Sequence, residues 1–188
     1  MLDNKGVSEI FLIRKCKQGE LRYQELLYKF FYSYAMGIGL RYSGSRDDSM
    51  EVVNDAFIKF FNTIATYDEE RPLKPWLRRI IINATIDKRR KDHHHTDALD
   101  LEEANHLSLQ PGAIDKMAAD ELLSLVGELP ELHRLIFNLY EIDGYKHEEI
   151  GKMLNIPPSS SRVHLSRAKL QLRNAFILNE IKYHARKV

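Results

Sequence analysis

The sequence has one cysteine, Cys16, among its 188 residues. A single cysteine excludes an internal disulfide framework and is typical of a reducing cytosol. The sequence also lacks a signal peptide and any apolar run near the roughly 18 residues that a membrane-spanning helix needs. It therefore predicts a soluble, cytoplasmic protein. No base stands near Cys16 to activate its thiol, so we expect this side chain to pack in a core.

The sequence lacks the strict alternation of apolar and polar residues that is typical of β-strands, and it has no internal repeat. Helical periodicity is present instead, and it predicts an all-α fold. Pro130 stands where a helix should start and Gly144 where one should stop. The predicted helices cover 7–17, 21–42, 46–66, 71–91, 114–127, 130–142, 146–154 and 159–183.

Two of these helices suggest where a core lies. Aromatic residues at helical spacing usually pack inside, and this interpretation predicts a buried set in the second helix: Tyr23, Tyr28, Phe30, Phe31, Tyr32 and Tyr34. The third helix should bury an apolar stripe made of Val53, Phe57, Phe60, Phe61 and Ile64. Its other side is polar and acidic, and by itself it would be ordinary solvated surface.

The chain has almost no net charge, +1, but the charge is strongly segregated. Residues 71–91 carry eight basic residues against one acid, 97–121 seven acids against one base, and 162–188 seven bases against one acid. Alternating blocks of this kind suggest two modules that face nucleic acid and an acidic connector between them. We predict a first module at 1–91, a flexible linker at 92–113 and a second module at 114–188. The linker could imitate nucleic acid or act as a solvated tether.

The first basic block, RPLKPWLRRIIINATIDKRRK, has an apolar stripe formed by Leu77, Ile80, Ile81 and Ala84. The opposite side carries Arg78, Arg79, Asn83, Arg89 and Arg90, but Ile82 and Ile86 fall there too. Part of that side must therefore be covered. Trp76 lies at the margin, where it could pack in the core or stack on a base. A solvated basic helix without a ligand is the alternative for the whole stretch.

The second basic block begins with a helix-turn-helix pattern at 145–170. Gly151 is small where two helices approach closely, and Asn155 stands at a turn position that favours positive φ. A small shared core is predicted from Ile150, Met153, Leu154, Ile156 and Leu165. The second helix then offers hydroxyl, imidazole and cationic groups, which suit phosphates and base edges in the major groove of DNA.

These stretches, in this order, resemble the extracytoplasmic-function (ECF) sigma factors, a group of bacterial RNA polymerase sigma subunits in the sigma-70 family. The similarity covers about 8–91 and 114–180. It implies a first module that docks on the polymerase, and reads and melts the minus-ten element. It implies a second module that reads the minus-thirty-five element. It also implies core RNA polymerase, promoter DNA and an anti-sigma factor as partners.

The resemblance assigns roles to individual residues. For polymerase binding these are Glu51, Asn54 and Asp55. For the minus-ten region of the DNA they are Arg71, Lys74, Trp76, Arg78, Arg79, Asn83, Lys88, Arg89 and Arg90, of which the last three, with Lys91, would hold duplex phosphates. For the recognition helix they are Ser159, Ser160, Ser161, Arg162, His164, Arg167 and Lys169.

The sequence departs from the family at the recognition helix. Ser159, Ser160 and Ser161 replace a usual Gly-Thr-Val, and His164 stands where arginine is frequent. Two prolines, at 157 and 158, precede the helix. These changes leave the fold prediction intact and make the promoter sequence that is read unpredictable.

Two other functions were weighed against this one. A stand-alone helix-turn-helix regulator would use the second module and leave the first without a role. An enzyme would need a catalytic or metal centre, but His93, His94 and His95 are adjacent and their side chains diverge. HEEIG at 147–151 lacks the second histidine of a zinc helix. We therefore expect neither enzymatic activity nor a cofactor or metal.

Overall fold

A computed structural model describes residues 8–43, 45–93 and 124–185. Every regular element in those ranges is helical, which confirms the all-α class. The elements are α1 (Glu9–Lys17), α2 (Leu21–Ser43), α3 (Arg46–Thr63) with a 3₁₀ turn (Ile64–Thr66), α4 (Leu73–His93), α5 (Glu131–Phe137) with a π-helical turn (Asn138–Ile142), α6 (His147–Leu154) and α7 (Pro158–Ala185).

The chain folds into two compact units. Unit 1 comprises Met1–Leu40 and Ser45–Asp92, and unit 2 comprises Arg41–Gly44 and His93–Val188. Nearly all of the predicted linker at 92–113 lies outside the described residues, as does most of the helix predicted at 114–127. The described end of that helix, 124–127, is helical.

The core of unit 1 corrects the prediction for the aromatic residues of α2. Only Phe31 is buried, while Phe30 is exposed and the four tyrosines are half-buried. At 100° per residue the six aromatics point to most sides of the helix, so they cannot share one buried stripe. The stripe that is buried runs through Leu27, Phe31, Ala35 and Ile38.

Helices α1, α3 and α4 supply further parts of this core. The buried residues of α3 are Val52, Val53, Ala56, Phe57 and Phe60, and Ile64 follows in the 3₁₀ turn. Phe61 is half-buried, so this part of the predicted stripe is wrong. Cys16 is buried, and burial raises the pKa of its thiol to about 11, which confirms a packing role.

Helix α4 is buried over more than half of its circumference. The predicted stripe is confirmed at Leu77, Ile81 and Ala84. Ile82 and Ile86 are buried as well, so the apolar residues on the cationic side are covered as expected. The width of this apolar surface fixes the rotation of α4 about its axis, and thereby fixes which polar side chains face water.

The helix-turn-helix of unit 2 confirms the predicted roles of its small residues. Asn155 adopts the left-handed conformation, with φ 56° and ψ 45°, and ends α6. A Cβ atom added to Gly151 would lie 2.8 Å from the carbonyl oxygen of Ile156, so only glycine fits without a shift. Pro158 takes the first position of α7, where its missing amide proton costs no helical hydrogen bond.

We predict that Gly151→Ala destabilises unit 2 by about 1–3 kcal/mol, because the added methyl group overpacks the turn. Urea unfolding followed by circular dichroism measures the effect. The matched control is Gly127→Ala, since a Cβ at Gly127 meets nothing within 4 Å. The control should be neutral or slightly stabilising. Equal stability of the two variants would contradict the tight turn.

Candidate nucleic-acid interface

The cationic front of α4 is narrower than the sequence suggests. Arg79, Asn83 and Arg90 are exposed and lie on one line, because they are separated by four and seven residues. Arg78 and Arg89 are half-buried and lie about 100° around the helix from this line. The structure therefore brings three of the predicted DNA-binding residues together on a solvent-facing stripe.

The loop before α4 is held by α1. The Glu69 carboxylate accepts hydrogen bonds from Arg14 Nε at 2.8 Å and from Lys17 Nζ at 3.0 Å. These two bonds lower the pKa of Glu69. Lys17 Nζ also donates to the Tyr67 carbonyl at 2.7 Å, and the Tyr67 hydroxyl donates to the Arg71 carbonyl. Arg71 is exposed at the end of this anchored loop.

Trp76 and Lys74 lie at the start of α4. The Trp76 ring is half-buried, with its centroid 5.0 Å from that of Phe60 and 4.9 Å from that of Tyr67. These contacts are the core packing that the sequence left as one of two possibilities. Lys74 is exposed, and its Nζ lies 5.6 Å from the centroid of the Tyr34 ring.

The C-terminal end of α4 is paired with acids. Lys88 Nζ lies 2.6 Å from Glu51 Oε2, 3.3 Å from Asp48 Oδ1 and 4.0 Å from Asp92 Oδ2. Hydrogen bonds from Lys88, chiefly to Glu51, raise the pKa of its ammonium group. The four basic residues 88–91 are therefore not equivalent, since Lys88 is engaged inside the protein.

The acidic side of α3 forms a second exposed stripe. Glu51, Asn54 and Asp55 are exposed, and the Asn54 amide oxygen accepts a 3.1 Å hydrogen bond from Tyr28. Ile58 continues the stripe and is 60% exposed. The sequence analysis did not include Ile58. It follows Glu51, Asn54 and Asp55 by seven, four and three residues, which places it on the same side of the helix.

The predicted DNA-binding residues of the recognition helix α7 fall into two groups that differ in solvent exposure. Ser159 and Arg162 are exposed, and Ser166 continues their line. The remaining candidates are more enclosed: Ser160, His164, Arg167 and Lys169 are half-buried and Ser161 is fully buried. Lys169 is also paired with Glu141 at 2.6 Å.

Ser161 is packed between α6 and α7 and cannot reach DNA in this conformation. Its hydroxyl lies 2.9 Å from His147 Nδ1, and the His147 ring stacks on Tyr140 with centroids 4.5 Å apart. Burial and the nearby Arg162 lower the pKa of His147, which Glu148 opposes. The predicted DNA contact at Ser161 is replaced by a contact that joins the two helices.

Arg162 is held at the surface by α6. Its Nη2 donates to Glu148 Oε1 at 3.0 Å, and both side chains remain more than half exposed. His164 instead faces His133, with ring centroids 5.2 Å apart. The exposed guanidinium of Arg162 is thus available to a ligand, whereas the His164 ring is partly covered.

Two further properties concern the described ranges. No helix in residues 8–43, 45–93 and 124–185 combines the length and the apolar character needed to cross a membrane. The same part of the chain has no group of three His, Cys, Asp or Glu side chains that could hold a metal ion. His94 and His95 lie outside it.

Known protein families match both units. The family described as sigma-70 region 2 matches residues 21–95, and the family described as sigma-70, region 4 matches residues 119–172. Together these two regions cover more than half of the chain. They stand in the order that the sequence analysis predicts.

Curated relatives extend the match over most of the chain. The ECF RNA polymerase sigma-E factor of Haemophilus influenzae is 27% identical over 175 residues, which cover 87% of this chain and 92% of the relative. The ECF RNA polymerase sigma factor SigW of Bacillus subtilis is 29% identical over 167 residues, covering 80% and 83%. The sigma-E factor of Escherichia coli K12 is 26% identical over 187 residues, covering 91% and 95%.

Two complexes are among the solved structures to which the chain is similar. The sigma factor RpoE of Bartonella quintana, solved with the anti-sigma factor NepR, aligns with a TM-score of 0.48 and 16% identity, over 80% of this chain and 94% of that one. CnrH, solved with the cytosolic domain of CnrY, aligns with a TM-score of 0.46 and 18% identity, over 90% and 97%.

The contact between His147 and Ser161 predicts a pH dependence. Because the folded pKa of His147 lies below its unfolded value, the unfolded chain binds more protons. The stability from this site is present above the unfolded pKa, near 6.5, and is lost as the pH falls through the folded pKa. His147→Gln should therefore reduce the loss of melting temperature between about pH 8 and about pH 5.5.

Differential scanning calorimetry of the full chain at the two pH values measures this effect. The matched control is Asn174→Gln, which places glutamine at an exposed, non-titrating position of the same unit. The control should keep the pH dependence of the unchanged protein. An unaltered pH dependence in His147→Gln would contradict the assignment.

Proposed function

Since the chain belongs to the extracytoplasmic-function group of the sigma-70 family, whose members direct promoter-specific transcription initiation, we propose how its surfaces divide that work. Residues 1–91 bind core RNA polymerase, and read and melt the minus-ten element. Residues 114–188 read the minus-thirty-five element, and 92–113 connect the two. The observation that carries the proposal is that unit 1 presents two separate exposed stripes, a cationic one on α4 and a polar, partly apolar one on α3.

The stripe on α4 suits the opening of DNA. Unstacking a base costs a few kcal/mol, and a protein offsets this cost by binding the extruded base and the strand that carries it. Arg79, Asn83 and Arg90 offer hydrogen-bond donors along one line, and the anchored loop places Arg71 at its start. Lys74, Arg78 and Arg89 lie on other sides of α4, so we assign them secondary contacts to the strand or its backbone. Donors that are already held in place lose little freedom when the strand binds.

Trp76 supports this surface from inside. Its ring packs on Phe60 and Tyr67, so it joins the start of α4 to α3 and to the anchored loop. A tryptophan that stacked on a base would have to leave both rings. We therefore assign Trp76 to positioning the loop and the helix, and assign the melted strand to the polar residues.

The recognition helix reads DNA through its first two turns. Ser159 and Arg162 are exposed there, and arginine is the residue that most often reads guanine in the major groove. The free amides at the start of α7 suit a phosphate. Ser160, His164, Arg167 and Lys169 lie beside this line and are partly covered, so their contacts to DNA are peripheral. Ser161 holds α7 against α6.

The stripe on α3 binds the polymerase. Interfaces between proteins place apolar side chains at the centre and polar ones at the rim. Ile58 with Glu51, Asn54 and Asp55 fits this arrangement, and the tyrosine bonded to Asn54 lies beside it. The stripe is carried by the helix that packs against α4, so polymerase docking and DNA binding share one rigid support.

The proposed partners follow from the roles assigned to the surfaces of α3, α4 and α7. Core RNA polymerase and promoter DNA are the two ligands, and both are in the bacterial cytoplasm, where we place the protein. We also propose an anti-sigma factor as a partner, which the resemblance to the family implies. Sigma factors are non-enzymatic initiation factors, and we assign no catalysis, cofactor or metal to this chain. The match of region 2 to residues 21–95 argues against a stand-alone regulator.

The melting role of α4 is tested by Arg79→Ala combined with Asn83→Ala. Both residues are exposed, so folding should not change. We expect core affinity to be retained and open complex to fall by about tenfold or more, since each lost hydrogen bond contributes about 1 kcal/mol. Permanganate reactivity of unpaired thymines at a promoter measures the open complex.

A template with a preformed bubble sharpens this test. If the two residues act in melting, the variant should regain most of its activity on that template. Arg22→Ala, on the exposed side of α2, serves as the control for loss of an exposed arginine. Normal opening of duplex DNA by the double variant would contradict the role of the α4 stripe.

The docking role of α3 is tested by Ile58→Ser. We expect its affinity for core polymerase to fall by about tenfold, because burial of an isoleucine contributes about 1.5–3 kcal/mol when complete. Competition with a fluorescently labelled sigma factor measures the affinity. Leu21→Ser removes another exposed apolar side chain from unit 1 and should have no effect. Equal affinities of the two variants would argue against the docking stripe.

A further inference from the structure

Lys88 joins the two functional helices of unit 1. It lies on α4, in the most basic run of the chain, but its ammonium group is bonded to carboxylates. Its Nζ is 2.6 Å from Glu51 Oε2 on α3 and 3.3 Å from Asp48 Oδ1 on the same helix. The Lys88 side chain is 20% exposed, whereas that of Glu51 is 60% exposed. The lysine is thus the enclosed member and the glutamate the outer one.

This arrangement is poor for binding a phosphate. A phosphate that approached Lys88 would have to displace carboxylates that are already within hydrogen-bond distance of it. It would also meet the negative charges of Asp48, Glu51 and Asp92, which repel it. Arg79 and Arg90 on the same helix are exposed, and Arg90 Nη1 lies 3.4 Å from Asp87 Oδ1. The charge of Lys88 therefore serves the protein and not the DNA.

The same arrangement is favourable for Glu51 as a binding residue. A glutamate on a helix surface samples several rotamers, and binding must select one of them at a cost in entropy. Lys88 engages one oxygen, Oε2, and holds the carboxylate beside the rest of the α3 stripe. Asp48 is held independently, because its Oδ2 accepts a 2.6 Å hydrogen bond from Ser45. The Glu51 side chain as a whole stays accessible to a partner, because it is 60% exposed.

We propose that Lys88 is a positioning residue for polymerase docking: it holds Glu51 in the orientation in which core RNA polymerase meets it, and it does not contact promoter phosphates. The inference rests on the proposed docking role of the α3 stripe. It assigns one residue of the basic run at 88–91 to the protein interface and leaves its neighbours to DNA.

The test compares Lys88→Met, Glu51→Gln and the double variant. Lys88→Met keeps the length of the side chain and removes its charge. We expect it to weaken core affinity by about threefold, the effect of one partly exposed ion pair. The double variant should be no weaker than Glu51→Gln alone, because Lys88 acts through Glu51. Lys88→Arg should retain most of the affinity, since arginine also donates to a carboxylate.

The salt dependence of promoter binding separates this proposal from a phosphate contact. Assembled holoenzyme with Lys88→Met should keep the slope of log affinity against log salt concentration. A phosphate contact would instead lower the slope by about 0.9. Lys91→Met, which changes an exposed lysine assigned to a duplex phosphate three residues further along α4, is the positive control and should lower the slope.

The outcomes are distinct. If Glu51→Gln weakens core binding but Lys88→Met does not, or if their effects are additive, the positioning role is overturned and the docking stripe stands. If Glu51→Gln and Ile58→Ser both leave core affinity unchanged, the docking stripe falls and the positioning role falls with it. A reduced salt slope for Lys88→Met also overturns the proposal. Lys88→Gln replaces Lys88→Met in each comparison if the methionine variant has a lower melting temperature.

Discussion

The burial of α4 over more than half of its circumference is the constraint on which unit 1 depends. Ile82 and Ile86 are covered together with the predicted apolar stripe, so the helix cannot rotate without exposing isoleucine. Arg79, Asn83 and Arg90 are left as a fixed line of donors. A surface that must capture an extruded base gains from such rigidity, because its donors are placed before the strand arrives.

Each unit holds one basic helix in a fixed orientation, and the two units do so by different means. Unit 1 fixes its cationic helix by wide apolar burial. Unit 2 fixes α7 by a tight turn at Gly151 and Asn155 and by the buried contact between His147 and Ser161. In each unit, one polar residue that the sequence analysis assigned to DNA is hydrogen-bonded to another helix of the protein. These residues are Lys88 in unit 1 and Ser161 in unit 2.

Much of the fold was predictable from periodicity and from turn chemistry. The helix positions, the left-handed Asn155 and the coverage of Ile82 and Ile86 all follow from local pattern. The pairing of Lys88 with Glu51 joins residues 37 positions apart and depends on how two helices meet. The burial of Ser161 depends in the same way on α6. Single-helix patterns show which sides are polar, and they do not show which polar side another helix covers.

The anchored loop before α4 connects the proposed promoter-facing surface of unit 1 to a distant part of the chain. Arg14 and Lys17 hold Glu69 from 55 and 52 residues upstream, and neither is part of the cationic stripe. In a genetic screen for defects of initiation, lesions at these two positions would fall into the same class as lesions of the stripe. A mutational map of initiation would therefore mark α1 as functionally continuous with α4, which begins at Leu73.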